Sequence, residues 1–413
     1  MAAHKFFEII KQGTNFEFVG KQRTSITISL LAVLGSLAML PLNAFVFKGR
    51  GSMLNWGVDF RGGSELLVRF SKEVEPGDVR QAMEAAGFQG AEVVRYGQAS
   101  EAGRSYMLRI GAVSVLSEDQ AKKLEGALGT VGDAKLKSLE WSEGGDKVYL
   151  RFDKTLESSR VREALTAAGT ETTQVQPFGR ADDNTFEATL IGLDVEVRKG
   201  LEAKLGVGAV AEIPQVESVG AKAGRQLQYD GVQAVFGAIL LIVLYVALRF
   251  DFRFGPGTII ALLHDAIVTV GAFAVTYKEF SLTTLAAVLT IIGYSVNDTI
   301  VVFDRVRENA VRFKDRAFDR VVNQSVNETL SRTILTSATL LFVTLAMNVL
   351  GSGVVKDFAF AMNVGVIVGT YSTIFIASPA LIWLDNRFRA AAKKGAAAPR
   401  RGRRRTAESA SSV

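Results

Sequence analysis

Asp298 is a carboxylate inside a stretch, Leu285 to Phe303, that is otherwise almost wholly apolar apart from Tyr294, Ser295, Asn297 and Thr299 around it. Placing a charge that deep in an apolar helix costs about 2.5 to 3.5 kcal/mol, so the residue marks function by default and its partner must be found. Apolar surroundings favour the protonated carboxyl and an adjacent cation favours the carboxylate. An alternating partner would therefore let Asp298 load and release a proton. Arg332, at the head of another apolar stretch, is a candidate. Asp298 lies about six residues, about 9 Å by helical rise, from the end of its helix at which the Arg332 helix begins. A static buried ion pair that fixes helix register is the other reading of the two.

His264 and Asp265 form a second ionisable pair in an apolar stretch, ranked below Asp298. A histidine can shuttle protons near neutral pH, and equally the pair can satisfy itself within a helix bundle. Gly293, Asn297 and Gly271 suit close packing of helices as well as a proton path, with packing the default reading, and Asn297 is counted with Asp298, Arg332, Asp265 and His264 among the candidates for that path.

Six apolar stretches have to hold these residues: 24 to 47, 231 to 248, 257 to 277, 281 to 303, 332 to 350 and 358 to 384. Each is long enough, or nearly so, to cross about 30 Å of hydrocarbon. The first follows Lys5, Lys11, Lys21 and Arg23 in the manner of a signal peptide, but its run is too long and lacks a small-x-small cleavage site. It reads as an uncleaved span. The N-terminus, the Arg249 to Arg253 turn, the Arg305 to Arg320 segment and the Arg387 to Arg405 tail are all basic and fall on one side if every span is real. By the positive-inside rule both termini are then cytoplasmic and residues 48 to 230 lie outside. The expected division is an N-terminus over 1–23, a first span over 24–47, outside modules over 48–137 and 138–230, five further spans over 231–384, and a basic tail over 385–413. The composition of that tail cannot bury a core, so it is expected to be disordered and to touch anionic lipid.

The outside region repeats itself. Leu67-Val68-Arg69-Phe70 recurs as Tyr149-Leu150-Arg151-Phe152, Val79-Arg80 as Val161-Arg162, Ala85-Ala86-Gly87 as Ala167-Ala168-Gly169, and Tyr96-Gly97 as Phe178-Gly179, all at an offset of 82 residues. Each copy reads as strand, helix, one or two strands and a second helix. The expected fold is a six-helix membrane bundle plus an extracytoplasmic α+β domain of two ferredoxin-like modules joined around Ser138 to Gly145. One larger domain with accidental similarity is the alternative.

Composition narrows the function classes. The 413 residues are 48% hydrophobic with a formal net charge of +6, and the mean hydropathy is +0.21. The basic residues cluster beside apolar runs and no nucleic-acid-binding signature accompanies them, so the charge reports topology rather than nucleic acid. Without cysteine and with only two histidines, the chain carries no thiolate or histidine-rich metal site, and no cofactor is expected. No phosphate-cradling loop, nucleophile elbow or metal-spaced motif occurs, so no enzyme is expected.

Two stretches carry a resemblance. Gly57-Val58-Asp59-Phe60-Arg61-Gly62-Gly63-Ser64 follows the first span, and GYSVNDTIVVFDRVREN runs from Gly293 to Asn309, including Asp304 and Arg305. With Val216 to Gly220, His264-Asp265 and Leu330 to Ile334 they resemble the SecF branch of the SecD/SecF family, within the resistance-nodulation-division superfamily. The likeness covers the membrane region and both edges of the outside domain. It implies a subunit of the bacterial inner membrane that, with SecD, uses the proton motive force at the outer face of the SecYEG channel to help draw emerging polypeptides across. It also implies a proton path through the aspartate at Asp298 and the arginine at Arg332, and six-helix halves related by a pseudo-two-fold axis. One feature departs from the family pattern: a single outside module is usual, and here there are two. The rival readings are a proton-coupled exporter of lipid or small molecules and a membrane scaffold that moves nothing. A scaffold gains nothing from burying Asp298.

Overall fold

The computed structural model describes residues 14–97, 103–111, 116, 118–141, 147–180, 183–249 and 254–397. Lys5, Lys11, the Arg253 end of the basic turn, the second half of the expected linker between modules and the tail beyond 397 lie outside these residues.

The chain enters through α1 (Gln22–Pro41), lengthened by a 3₁₀ turn at Val19–Lys21 and a π turn at Leu42–Val46. A short strand β1 (Asn55–Trp56) and a single turn α2 (Val58–Arg61) lead into the α+β domain. The first repeat is β2 (Gly63–Phe70), α3 (Pro76–Ala85), β3 (Glu92–Arg95), β4 (Ser105–Ile110), α4 (Glu118–Ala127), β5 (Thr130–Val131) and β6 (Ala134–Trp141). The second is β7 (Lys147–Phe152), α5 (Ser158–Ala167), β8 (Thr172–Phe178), β9 (Thr185–Leu190), α6 (Leu193–Leu205) and β10 (Val210–Val219).

The two sheets run β10-β2-β4-β3 and β5-β6-β7-β9-β8, with antiparallel pairing throughout. Each repeat therefore lends its closing helix and strand to the other. Leu193, Val197 and Leu201 of α6 pack in one core with Leu66, Val79 and Leu108, and Ala121, Leu124 and Leu128 of α4 pack in the other with Val148, Leu150 and Val161. The first module is residues 63–110 with 193–219, and the second is inserted between them. A cut at 137/138, where the repeat suggests one, would split both cores. The cause is chain length: only five residues separate β6 from β7, so the two strands meet as a local hairpin. β10 must return to the membrane and takes the free side of β2, which starts there.

The rest of the bundle is α7 (Ala221–Arg249), α8 (Gly255–Thr276), β11 (Glu279–Phe280), α9 (Leu282–Arg312), α10 (Phe318–Leu350) and α11 (Gly353–Ser372). A π turn at Thr373–Ala377 continues α11 into α12 (Ser378–Ala397). Six helical segments are long and apolar enough to span a membrane. α8, α9 and α11 form the centre, while α1, α7 and α10 expose apolar side chains at the rim. Gly271 lets α8 touch α1, because a Cβ there would stand 2.0 Å from Ser36 Oγ; Gly293 has open space instead.

Two helices outrun their apolar stretches. α9 continues past Phe303 and α10 begins before Arg332, because Val306, Asn309, Val321, Val322, Ser325 and Val326 keep burying one face of each. α12 likewise runs on where a disordered tail is expected from 385, as Ala, Arg and Lys favour helix. Its Asp385 and Arg389 pair one turn apart at 2.6 Å.

Candidate functional site in the helix bundle

Ser281 caps α9 by accepting from the Thr284 backbone N–H at 3.3 Å. Along that helix Ser295, Asp298 and Thr299 stand three and four residues apart, so they share a face, and all three are buried. Asp265 of α8 is fully buried opposite them. Its Oδ2 accepts from Ser295 Oγ at 2.5 Å and from Ser372 Oγ of α11 at 2.8 Å, and its Oδ1 faces His264 Nδ1 at 3.0 Å. Thr299 and Thr373 hydroxyls meet at 3.0 Å beside them. A buried carboxylate needs several such donors, and here three helices supply them.

Asp298 is 4% exposed. Arg332 and the Ser337 hydroxyl, both from α10, are the groups that face it. No ion pair closer than 4.0 Å joins Asp298 to Arg332. Arg332 is exposed at the bundle surface. Ser337 Oγ accepts from Thr370 Oγ1 of α11 at 2.7 Å, which places a chain of hydroxyls beside the carboxylate. Asn297 lies outside this cluster: one residue around the helix from Asp298, it is exposed.

At the far end of α9, Arg305 holds Glu328 of α10 at 2.5 Å and Glu308 at 2.6 Å, and Asn309 Nδ2 donates to the same Glu328 at 2.8 Å. Asp304 is exposed, 3.9 Å from Arg249. This clamp ties α9 to α10 beyond the apolar region.

The glycine-rich motif sits at the other end. Gly62 and Gly63 adopt φ of +78° and +123°. A Cβ on Gly62 would stand 2.8 Å from Ala221 Cα, and one on Gly63 would stand 2.5 Å from Ile110 O. The pair thus lets β2 leave α2 hard against the start of α7 and the end of β4. Gly57 precedes α2 in extended backbone, and Asp59 within α2 accepts from the Leu282 backbone N–H at 2.9 Å. Beside it β1 pairs in parallel with β11, and Glu279 meets Arg109 of β4. The roles of Asp59, Arg109, Glu279, Ser372 and Ser337 are missed by sequence reasoning. A lone carboxylate in the short turn between two spans, Glu279, was the available signal.

The family profile described as protein export membrane protein SecD/SecF, C-terminal, matches residues 202–387, and that of the SecD/SecF GG motif matches residues 54–74. The protein translocase subunit SecF of Koribacter versatilis is 30% identical over 388 residues, covering 90% of this chain and 92% of its own. That of Calditerrivibrio nitroreducens is 33% identical over 379 residues, covering 91% and 95%. The crystal structure of SecDF from Thermus thermophilus, described as a translocon-associated membrane protein, superposes with a TM-score of 0.59 at 29% identity. It covers 91% of this chain, which spans 39% of that longer one. By sequence along nearly its whole length and by fold, the chain belongs to the SecD/SecF family of protein-export membrane proteins.

Proposed function

We propose that the chain is an accessory subunit of the Sec preprotein translocase which, with a SecD partner and the SecYEG channel, couples the proton motive force to late steps of protein export. It works in the inner membrane with both termini in the cytoplasm. Its α+β domain meets unfolded polypeptide on the far side, and it makes or breaks no covalent bond. The observation that carries this reading is Asp298, buried in α9 with Arg332 and Ser337 facing it and no closed ion pair. Asp265 with His264 is a second station on the same face of the core. A motive force of about 150 mV is worth about 3.5 kcal/mol per charge moved, enough to shift a two-state equilibrium several-hundredfold. Exposed apolar side chains on α7 and α10, such as Phe236, Leu240 and Phe342, suit lipid or the partner's helices.

The test is Asp298→Asn in inverted vesicles containing the partner subunit, with gradient-stimulated and ATP-driven export of a secretory protein measured separately. Loss of the gradient component alone supports the reading. An unchanged gradient component overturns it.

A further inference from the structure

α9, which carries Asp298, enters the bundle from β11, and the carboxylate of Glu279 in that strand faces two strands of the first module, β2 and β4. Arg109 of β4 donates to it through Nη2. The same guanidinium donates to Glu65 of β2 at 2.7 Å and lies 3.8 Å from Glu92 of β3. The side chains of Arg109, Glu65 and Glu279 are 16%, 11% and 13% exposed. Asp59 of α2 and Asp357 of α11 complete the acids facing Glu279. Lys278 is engaged by Asp357 at 2.9 Å, and Arg61 by Glu92 at 3.3 Å. The wall is tight, since a Cβ on Gly57 would stand 2.5 Å from Glu279 Oε1.

A charged group buried at such a seam is costly and adds little net stability, so its value lies in fixing one arrangement. Here it fixes α9. Asp59 binds the first backbone N–H of that helix, β1 pairs with the strand just before it, and Arg109 holds the carboxylate of Glu279. From Leu282 to Asp298 the helix is about 24 Å of stiff rod.

We propose that Arg109, Glu279 and Asp59 are positioning residues that fasten the outer end of α9 to the first α+β module, so that displacement of α9 on proton loading is delivered to that module. The inference rests on the function proposed above. The joint also has a pH sense. Burial, then the neighbouring acids Glu65, Asp357 and Asp59, push Glu279 up to about 7 against the pull of Arg109. A carboxyl that binds its proton more tightly when docked than when free is docked more firmly in acid. Raising the pH through about 7 loosens the joint; protonation does not release it.

The chain has no cysteine. Spin labels at Val94→Cys and Val354→Cys, on positions 43% and 50% exposed, can therefore report the distance between module and bundle. In the full complex in liposomes, the ratio of loosened to docked distances is expected to rise about tenfold from pH 6 to pH 8. Glu279→Gln should abolish that rise, and Arg109→Gln should enlarge the loosened population at pH 8. In export vesicles Arg109→Gln should lose the gradient-driven component about tenfold, with partial rescue by Arg109→Lys. The same pH response in Glu279→Gln, or full gradient-driven export in Arg109→Gln beside a defective Asp298→Asn, overturns the joint and leaves the functional reading standing. If Asp298→Asn itself exports normally, that reading falls, and the spin-label distances still decide the joint.

Discussion

The carboxylate of Asp59 accepts a 2.9 Å hydrogen bond from the backbone N–H of Leu282, the first residue of α9. The residues are 223 positions apart, yet the contact makes the glycine-rich motif part of the helix that buries Asp298. An acid at a helix N-terminus satisfies an otherwise orphaned donor and complements the helix dipole.

Asp59→Ala should therefore destabilise the protein by about 0.5–2 kcal/mol, and Asp59→Asn by less. Hydrogen exchange at the Leu282 amide is the direct readout. Unchanged protection there in the alanine variant would show that the contact carries no stability.

Gly63→Ala places a methyl 2.5 Å from Ile110 O at a φ of +123°. Strain of this kind costs about 1–3 kcal/mol before the clash is counted. We expect poor accumulation in membranes by immunoblot. Gly35→Ala, in α1 with nothing within 4 Å, serves as the control and should accumulate normally.

Ser295 and Ser372 both donate to Oδ2 of Asp265. Each alanine substitution should cost about 1.5–3 kcal/mol, because each removes a donor to a buried carboxylate. Sharing one acceptor, they should not add. A double variant whose loss equals the sum within about 0.5 kcal/mol would contradict a shared site.

The exchanged modules predict which fragments fold. Residues 112–191 contain one complete core and should give a cooperative thermal transition by circular dichroism. Residues 138–230, one sequence repeat, hold β7, β8 and β9 without α4 or β5 and with only residues 138–141 of β6, and should not. The reverse result would mean that the closing elements are not exchanged.

Much of this architecture is legible in the chain because its signals are local. Six apolar runs report spans, since hydrocarbon thickness sets helix length. The offset of 82 reports two related α+β units, and Asp298 and Asp265 stand out because charge in an apolar run is costly. What the chain could not disclose depends on helix rotation and on distant partners. Asn297 faces out and Asp298 faces in because neighbouring residues on a helix point about 100° apart, and only packing sets which of them turns inward. Ser372 reaches Asp265 across 107 residues and Arg109 reaches Glu279 across 170, so no sequence window contains either pair. The exchange of closing elements escaped for the same reason: either helix and strand could complete either sheet, and the short β6 to β7 connection chose between them.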